Sequence, residues 1–196
     1  LHSHALAVRV GRDALDQVPP SRWDFAAAAH DLAATVASRC QFAGFLLGAE
    51  AFDASRFFTS PAEAAAMDPQ QRLLLERGYE SLHSARLDRG SLGGSLTGVF
   101  LGIAACDFGY LLGTTPAGSS VYAATGSSLS IACGRVSYVL GLHGPCASYD
   151  TACSSALTAC HASLRALQMI ECSGGLAAGI NLMLTPSNGI TFAISG

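Results

Sequence analysis

Charge is spread so unevenly along this chain that it constrains the fold before any motif is found. Residues 1–89 carry 20 of the 25 Arg, Asp and Glu side chains. Residues 90–196 carry only Asp107, Arg135, Asp150, Arg165 and Glu171. A small domain standing alone needs charged side chains over its whole surface. The second half therefore reads as a core that another surface must cover. The chain has 196 residues, of which 50% are hydrophobic and 13% charged. That is enough apolar material for one packed domain, or for part of a larger one, and it excludes disorder as the main state.

All 11 basic residues are Arg. Without Lys, the chain itself can form no Schiff base and hold no P-loop. A net charge of −3 and the lack of any basic run argue against a nucleic-acid or anionic-membrane binder. The seven cysteines are odd in number and contain no C-x-x-C pair. They support neither a zinc site nor a disulfide framework. A cytoplasmic or other soluble reducing compartment is expected, or an organelle if the N-terminus was processed. The uncharged runs at 108–134 and 172–196 are interrupted by Gly, Ser, Thr, Asn or Pro, so no transmembrane span is expected. No signal peptide is visible, and the chain begins at Leu1.

The coarse order is helix, strand, helix, strand, helix, strand, which predicts an α/β fold with helices layered on a mostly parallel or mixed sheet. Residues 5–16 could form a short helix stopped by Pro19–Pro20, and 31–37 a helical turn. Residues 45–58 read as an aromatic-anchored loop. Ser60, Pro61 and Glu63 have the spacing of a capping box opening a helix. Asp68-Pro69 then splits 61–86 in two. Residues 88–97 read as a loop. Buried strands are expected at 98–104 and 175–184, with a short one at 147–150. Helices are expected within 125–142 and over 152–169, and one further element starts near 190. Residues 1–97 thus form a charged helical and loop region, and residues 98–196 a buried α/β core.

The richest segment chemically is SYDTACSSALTACHASLRAL, residues 148–167. A strand ends near Asp150 and a helix begins, with Cys153 at its first turn. Free backbone N–H groups and the helix dipole favour a thiolate at such a place. They also offer a donor to an oxyanion formed by attack on a carbonyl. Small neighbours leave room for a substrate. Spacing alone equally allows Cys153 to be a small core filler, and Cys133, Cys146 and Cys160 fit that role as well. His161 lies about 12 Å further along the same helix and cannot reach Cys153. His143 reads as a surface or loop-packing residue, and His83 as half exposed. His2, His4 and His30 lie in regions with no site geometry. Asp107 and Asp150 read as isolated acids, Asp150 binding local backbone N–H groups. Arg135, in an apolar helix, needs an acid or carbonyl partner, possible across an interface. The Gly-rich pieces at 90–94 and 174–179 do not match a dinucleotide fingerprint.

Five blocks together carry a specific resemblance: GRDALDQVPPSRWD (11–24), FDASRFFTSPAEAAAMDPQQRLLLERGYESL (52–82), TGVFLGI (97–103), the block 124–167 containing DTACSS, and GGLAAGINLMLTP (174–186). The chain resembles the N-terminal half of a β-ketoacyl synthase (ketosynthase) domain of a modular polyketide synthase. The resemblance implies a thiolase-like fold whose first strand and C-terminal half lie outside this sequence. It places the active-site nucleophile at Cys153, with the Cys153 N–H as one oxyanion donor. No directly bound cofactor is implied. The substrates would be phosphopantetheine-linked acyl and malonyl thioesters. Acyl carrier protein, a second ketosynthase subunit and the C-terminal half would be the partners. The family's two catalytic histidines and its lysine have no counterpart here. The chain alone is therefore expected not to condense, and an alternative is an enzyme-derived structural subunit of a larger, non-ketosynthase assembly.

Overall fold

The computed structural model describes Asp13 and residues 15–104 and 107–195. The elements in chain order are β1 (Leu15–Gln17), α1 (Phe25–Ala29), α2 (Ala34–Cys40), β2 (Phe42–Gly44), α3 (Pro61–Ala66), α4 (Pro69–Ser84), α5 (Arg89–Leu92) and β3 (Thr97–Ile103). They continue as α6 (Phe108–Gly113), α7 (Ala123–Ser127), α8 (Leu129–Leu140), β4 (Cys146–Tyr149), α9 (Ser155–Gln168), β5 (Gly174–Ile180) and α10 (Pro186–Ser195). Three 3-10 turns cover Ala54–Phe57, Pro116–Ser119 and Ala152–Ser154. The chain divides into two units. One runs to Gly48 and resumes at Met183, and the other is Ala49–Leu182.

In the smaller unit β1 and β2 pair antiparallel, Leu15 opposite Gly44 and Gln17 opposite Phe42. The helix expected over 5–16 falls mostly outside the described residues. Its last part is strand β1, because the pairing with β2 outweighs a weak local helix signal. Asp24 caps α1 by accepting the Ala27 N–H at 3.1 Å. The Arg39 guanidinium at the end of α2 donates to the Ala193 carbonyl in α10 at 3.1 Å.

The larger unit holds a three-stranded sheet ordered β4-β3-β5. Of the mostly parallel or mixed sheet expected, the three described strands all run parallel. Alternation along the central strand separates two faces. Val99, Leu101 and Ile103 join Leu176 from β5 and pack with Leu74, Leu75 and Leu82 of α4 and with Ala132, Val136 and Leu140 of α8. Phe100 faces the other way and packs with Ala159 and Ala166 of α9. Helices therefore cover both faces, which is why β3 is buried at all seven positions and reads as a continuous apolar run.

On the α9 side the strands present Gly rather than bulk. A Cβ added at Gly102 would lie 2.5 Å from the Ala156 N and the Ser155 carbonyl carbon, and one at Gly179 would lie 2.6 Å from the Ala156 Cβ. A Cβ at Gly175 would collide with the Ser163 hydroxyl. The GGLAAG run is thus a landing strip for a helix whose inner face is Ser155, Ala159, Ser163 and Ala166.

Several boundaries differ from the sequence expectation. The helix expected within 125–142 is α8, and the separate short α7 precedes it, because Ser128 between them is extended at φ −81° and ψ 127°. The 88–97 loop contains α5, capped by Asp88, whose carboxylate accepts the Ser91 N–H at 2.8 Å. Strand β5 stops at Ile180 rather than 184. The early helical turn is α2, shifted to Ala34–Cys40. The 45–58 loop holds the 3-10 turn Ala54–Phe57, whose Phe57 stacks on Phe52 with ring centroids 5.5 Å apart.

The charge-poor half is interior only in part. The side chains of Tyr110, Val121, Tyr138, Leu157 and Ile170 are exposed, with Tyr138 88% accessible. Residues 98–196 are therefore not the buried core throughout that the sequence predicts. The division expected at residue 97 falls within the larger unit, at the start of β3.

Candidate active site

The capping and breaking residues expected at 60–69 form, and around them lies a polar network that the sequence did not reveal. Ser60 Oγ accepts the Glu63 N–H at 3.2 Å. The Glu63 carboxylate does not turn back to the cap, however, but ion-pairs with Arg135 on α8. Arg135 thus finds its acid inside the chain, without an interface. Its Nε also donates to Gln71 Oε1 at 2.8 Å. Gln71 Nε2 donates to the carbonyls of Thr125 and Ser128, at 3.1 and 3.2 Å, and so ties down the junction of α7 and α8. Gln70 is fully buried, and its Oε1 accepts the Leu182 N–H at 3.0 Å, just beyond β5. Arg72 holds the Met67 carbonyl through Nε and Nη2 at 2.9 and 2.7 Å. The MDPQQR segment therefore directs Gln70 Oε1 and Gln71 Nε2 to the backbone of segments more than 50 residues away. Its run of consecutive polar residues at the start of a helix was the available signal.

Asp68, also in this segment, caps α4 by accepting the Gln70 N–H at 2.7 Å. Burial pushes its carboxyl above the ordinary value of 3.8, and Asp107 adds to the rise, while Gln70 and Arg72 oppose it. Asp107 is thus not the isolated acid expected from the sequence. A carboxyl that holds its proton more tightly when folded contributes stability that is fully present below the unfolded value. That contribution is lost as pH rises through the folded value. Asp68→Asn should remove this loss. In urea titrations the stability of wild type relative to Asp68→Asn should fall as pH rises above the unfolded value of 3.8. A difference independent of pH would refute the assignment.

The strand-to-helix corner forms as expected. Strand β4 ends at Tyr149, beside Gly102 of β3. The 3-10 turn Ala152–Ser154 follows and runs into α9. The corner thus stands at the carboxyl end of a parallel sheet, where open α/β folds place their ligand sites. Asp150 Oδ1 accepts the Ala152 N–H at 3.1 Å, the local backbone role expected of it. Ala152 sits at φ +54°. This left-handed conformation costs a residue with a Cβ roughly 1–2 kcal/mol. Four hydroxyls hold the turn. Ser155 Oγ accepts the Thr151 N–H and donates to the Ala152 carbonyl, both at 2.8 Å. Ser154 Oγ donates to the Thr151 carbonyl at 2.8 Å, and the Thr151 and Thr158 hydroxyls lie 3.0 Å apart.

Of the four cysteines that spacing could not separate, exposure sets only Cys133 apart. Cys153 is exposed at the corner, whereas Cys133 is buried in α8. Burial pushes the Cys133 thiol up, with Cys146 adding to the rise and Ser148 opposing it, so it is a poor nucleophile. Cys146 and Cys160 are exposed, which corrects their reading as core fillers. Among the histidines, the His143 N–H donates to the Ser95 carbonyl at 2.8 Å, and its side chain is exposed. His161 is exposed on α9. His83 is exposed rather than half exposed and lies against Tyr79 at 6.1 Å between ring centroids. His30 pairs with the adjacent Asp31 at 2.8 Å. His2 and His4 fall outside the described residues. Among the described residues, no cluster of three or more His, Cys, Asp and Glu could hold a metal ion, and no helix is long and apolar enough to cross a membrane.

The family model "Beta-ketoacyl synthase, N-terminal domain" matches residues 3–196. The chain is 43% identical over 185 residues to the pikromycin polyketide synthase component PikAII of Streptomyces venezuelae, covering 93% of this chain and 5% of that protein. It is 47% identical over 150 residues to the spectinabilin polyketide synthase system protein NorC of Streptomyces orinoci, covering 76% of this chain and 7% of that one. The chain thus spans a small part of these relatives. Among solved structures, it is similar to the ketosynthase from module 6 of the bacillaene synthase of Bacillus subtilis, with a TM-score of 0.87 and 32% identity over 100% of this chain and 32% of that one. An oxazolomycin ketosynthase domain from Streptomyces albus matches with a TM-score of 0.85 and 33% identity, over 98% of this chain and 34% of that one. The sequence blocks, the thiolase-like α/β layering and these matches agree: the chain belongs to the β-ketoacyl synthase family, as the N-terminal domain of a ketosynthase of the modular polyketide synthase type.

Proposed function

We propose that this chain supplies the acyl-accepting half of a ketosynthase, with Cys153 as the nucleophile. The observation that carries the reading is the exposed Cys153 thiol on a strained turn, at the carboxyl end of the sheet and the start of α9. Cys153 Sγ, as thiolate, attacks the carbonyl of an acyl thioester. The backbone N–H of Cys153 serves as one donor to the resulting oxyanion. Collapse of that intermediate expels the phosphopantetheine thiolate of the carrier and leaves the acyl group on sulfur.

In the second half-reaction a malonyl-type extender on acyl carrier protein loses carbon dioxide. Its carbanion attacks the acyl-cysteine and releases a β-ketoacyl thioester. The histidines and lysine that assist this step in the family lie in the C-terminal half, so this step belongs to the complete domain. The exposed apolar side chains of the charge-poor half suit burial by that half and by a second ketosynthase copy. Phosphopantetheine takes part as the arm of the substrate, and the residues of this chain need hold no resident cofactor for acyl capture.

The test is capture of an acyl group from an N-acetylcysteamine thioester, with the site located by peptide mass spectrometry. The expected result is one acyl group on Cys153 and none on the exposed Cys146 and Cys160. An unlabelled Cys153 would sink the nucleophile assignment and favour a structural subunit.

A further inference from the structure

We propose that Ser155 is the positioning residue that aims Cys153, a role that rests on Cys153 being the nucleophile. One hydroxyl binds both sides of the residue before Cys153. It accepts the Thr151 N–H and donates to the Ala152 carbonyl, each at 2.8 Å. The same carbonyl also accepts the Ser155 N–H. Ala152 is therefore held in its left-handed conformation by its own carbonyl and by the N–H of its neighbour, and its ψ and the φ of Cys153 set where the thiol points.

Ser155 differs from the other hydroxyls of the corner by burial. Thr151 and Ser154 are exposed, and their hydrogen bonds compete with water, whereas Ser155 is buried. Its backbone is also pinned from below, because Gly102 brings β3 against the Ser155 carbonyl. The clamp thus has a fixed base on the sheet and a single polar arm reaching the turn. Alanine at 155 keeps the helix and the glycine contact but leaves the Thr151 N–H without this acceptor and the Ala152 carbonyl with one bond fewer. The turn is then free to relax out of the left-handed region, carrying the thiol with it.

The experiment compares wild type, Ser155→Ala and Ser155→Thr in the protein that carries this chain. Three readings are taken: acyl transfer from an N-acetylcysteamine thioester, iodoacetamide alkylation at each cysteine, and amide exchange over residues 150–155. Ser155→Ala should slow acylation of Cys153 by at least about tenfold. Alkylation of Cys160, on the same helix, should stay unchanged, and Ser155→Thr, which keeps the hydroxyl, should restore most of the Cys153 rate. Equal acylation in wild type and Ser155→Ala overturns the proposal. A loss at Cys153 and Cys160 alike, or no rescue by threonine, assigns Ser155 a general structural role and overturns it as well. A wild-type Cys153 that takes no acyl group overturns the nucleophile assignment instead. The clamp is then judged by exchange, where unchanged protection of 150–155 in Ser155→Ala refutes it.

Discussion

Replacing Gly102 with alanine is expected to cost about 3 kcal/mol, the upper end for overpacking a close-packed interior, and to slow acyl capture at Cys153 by at least about tenfold. The added Cβ would lie 2.5 Å from the Ala156 N and the Ser155 carbonyl carbon and 2.7 Å from the Ser155 oxygen. These are backbone atoms in the first turn of α9, so no side-chain rotation relieves the clash. Either β3 or the helix must shift, and the segment that shifts with the helix is the turn holding Cys153. Gly134→Ala is the matched control. It lies within α8, and nothing within 4 Å would meet its Cβ. There, alanine should be neutral or stabilise by up to about 1 kcal/mol. Urea unfolding measures both costs, and acyl labelling measures the functional effect. Equal stability of the Gly102 and Gly134 variants would refute close backbone approach as the reason for glycine at 102.

Glu63→Ala should destabilise the domain by about 3 kcal/mol, the lower end for removing one partner of a buried ion pair. The Arg135 side chain is 9% exposed and Glu63 26%. The loss therefore strands a cation that little water can reach, with Gln71 as its remaining acceptor. Glu63→Gln keeps an acceptor oxygen and should cost less. Replacing both partners, as Glu63→Gln with Arg135→Met, should cost less than the sum of the single changes, because the second substitution removes the stranded charge. Strict additivity in denaturant titrations would show that the two side chains do not interact energetically. The effect should also reach the α7–α8 junction, since Gln71 binds Arg135 through its oxygen and Thr125 and Ser128 through its nitrogen.

Most of what could be read along the chain involved neighbours in sequence. Pro61 and Pro69 marked helix starts because a proline nitrogen has no hydrogen to leave unpaired there. The run 97–103 announced a strand covered on both faces, and the Asp150–Cys153 turn announced a corner. The strand-to-helix corner and the family resemblance singled out Cys153, since periodicity fitted Cys133, Cys146 and Cys160 equally well. The misses have a common cause. Glu63 had the spacing of a capping box, yet its carboxylate found a stronger partner 72 residues away. Leu15–Gln17 carried a weak helical pattern, yet pairing with Phe42–Gly44 made it a strand. The GGLAAG run read as part of a buried strand that matches no dinucleotide fingerprint, and its Gly175 and Gly179 proved to be the floor under α9.

The amino-acid order was thus sufficient for the main element types, the parallel α/β layering and the place of the candidate nucleophile in the chain. These depend on local dihedral preferences, periodic burial and turn chemistry, all of which act over a few residues. Packing in three dimensions left the Cys153 thiol exposed and buried that of Cys133, gave Arg135 its acid, and set Ser155 between the sheet and the turn. Those outcomes depend on which distant segments meet and on how much water is excluded where they do, and neither quantity is written in any short stretch of the chain.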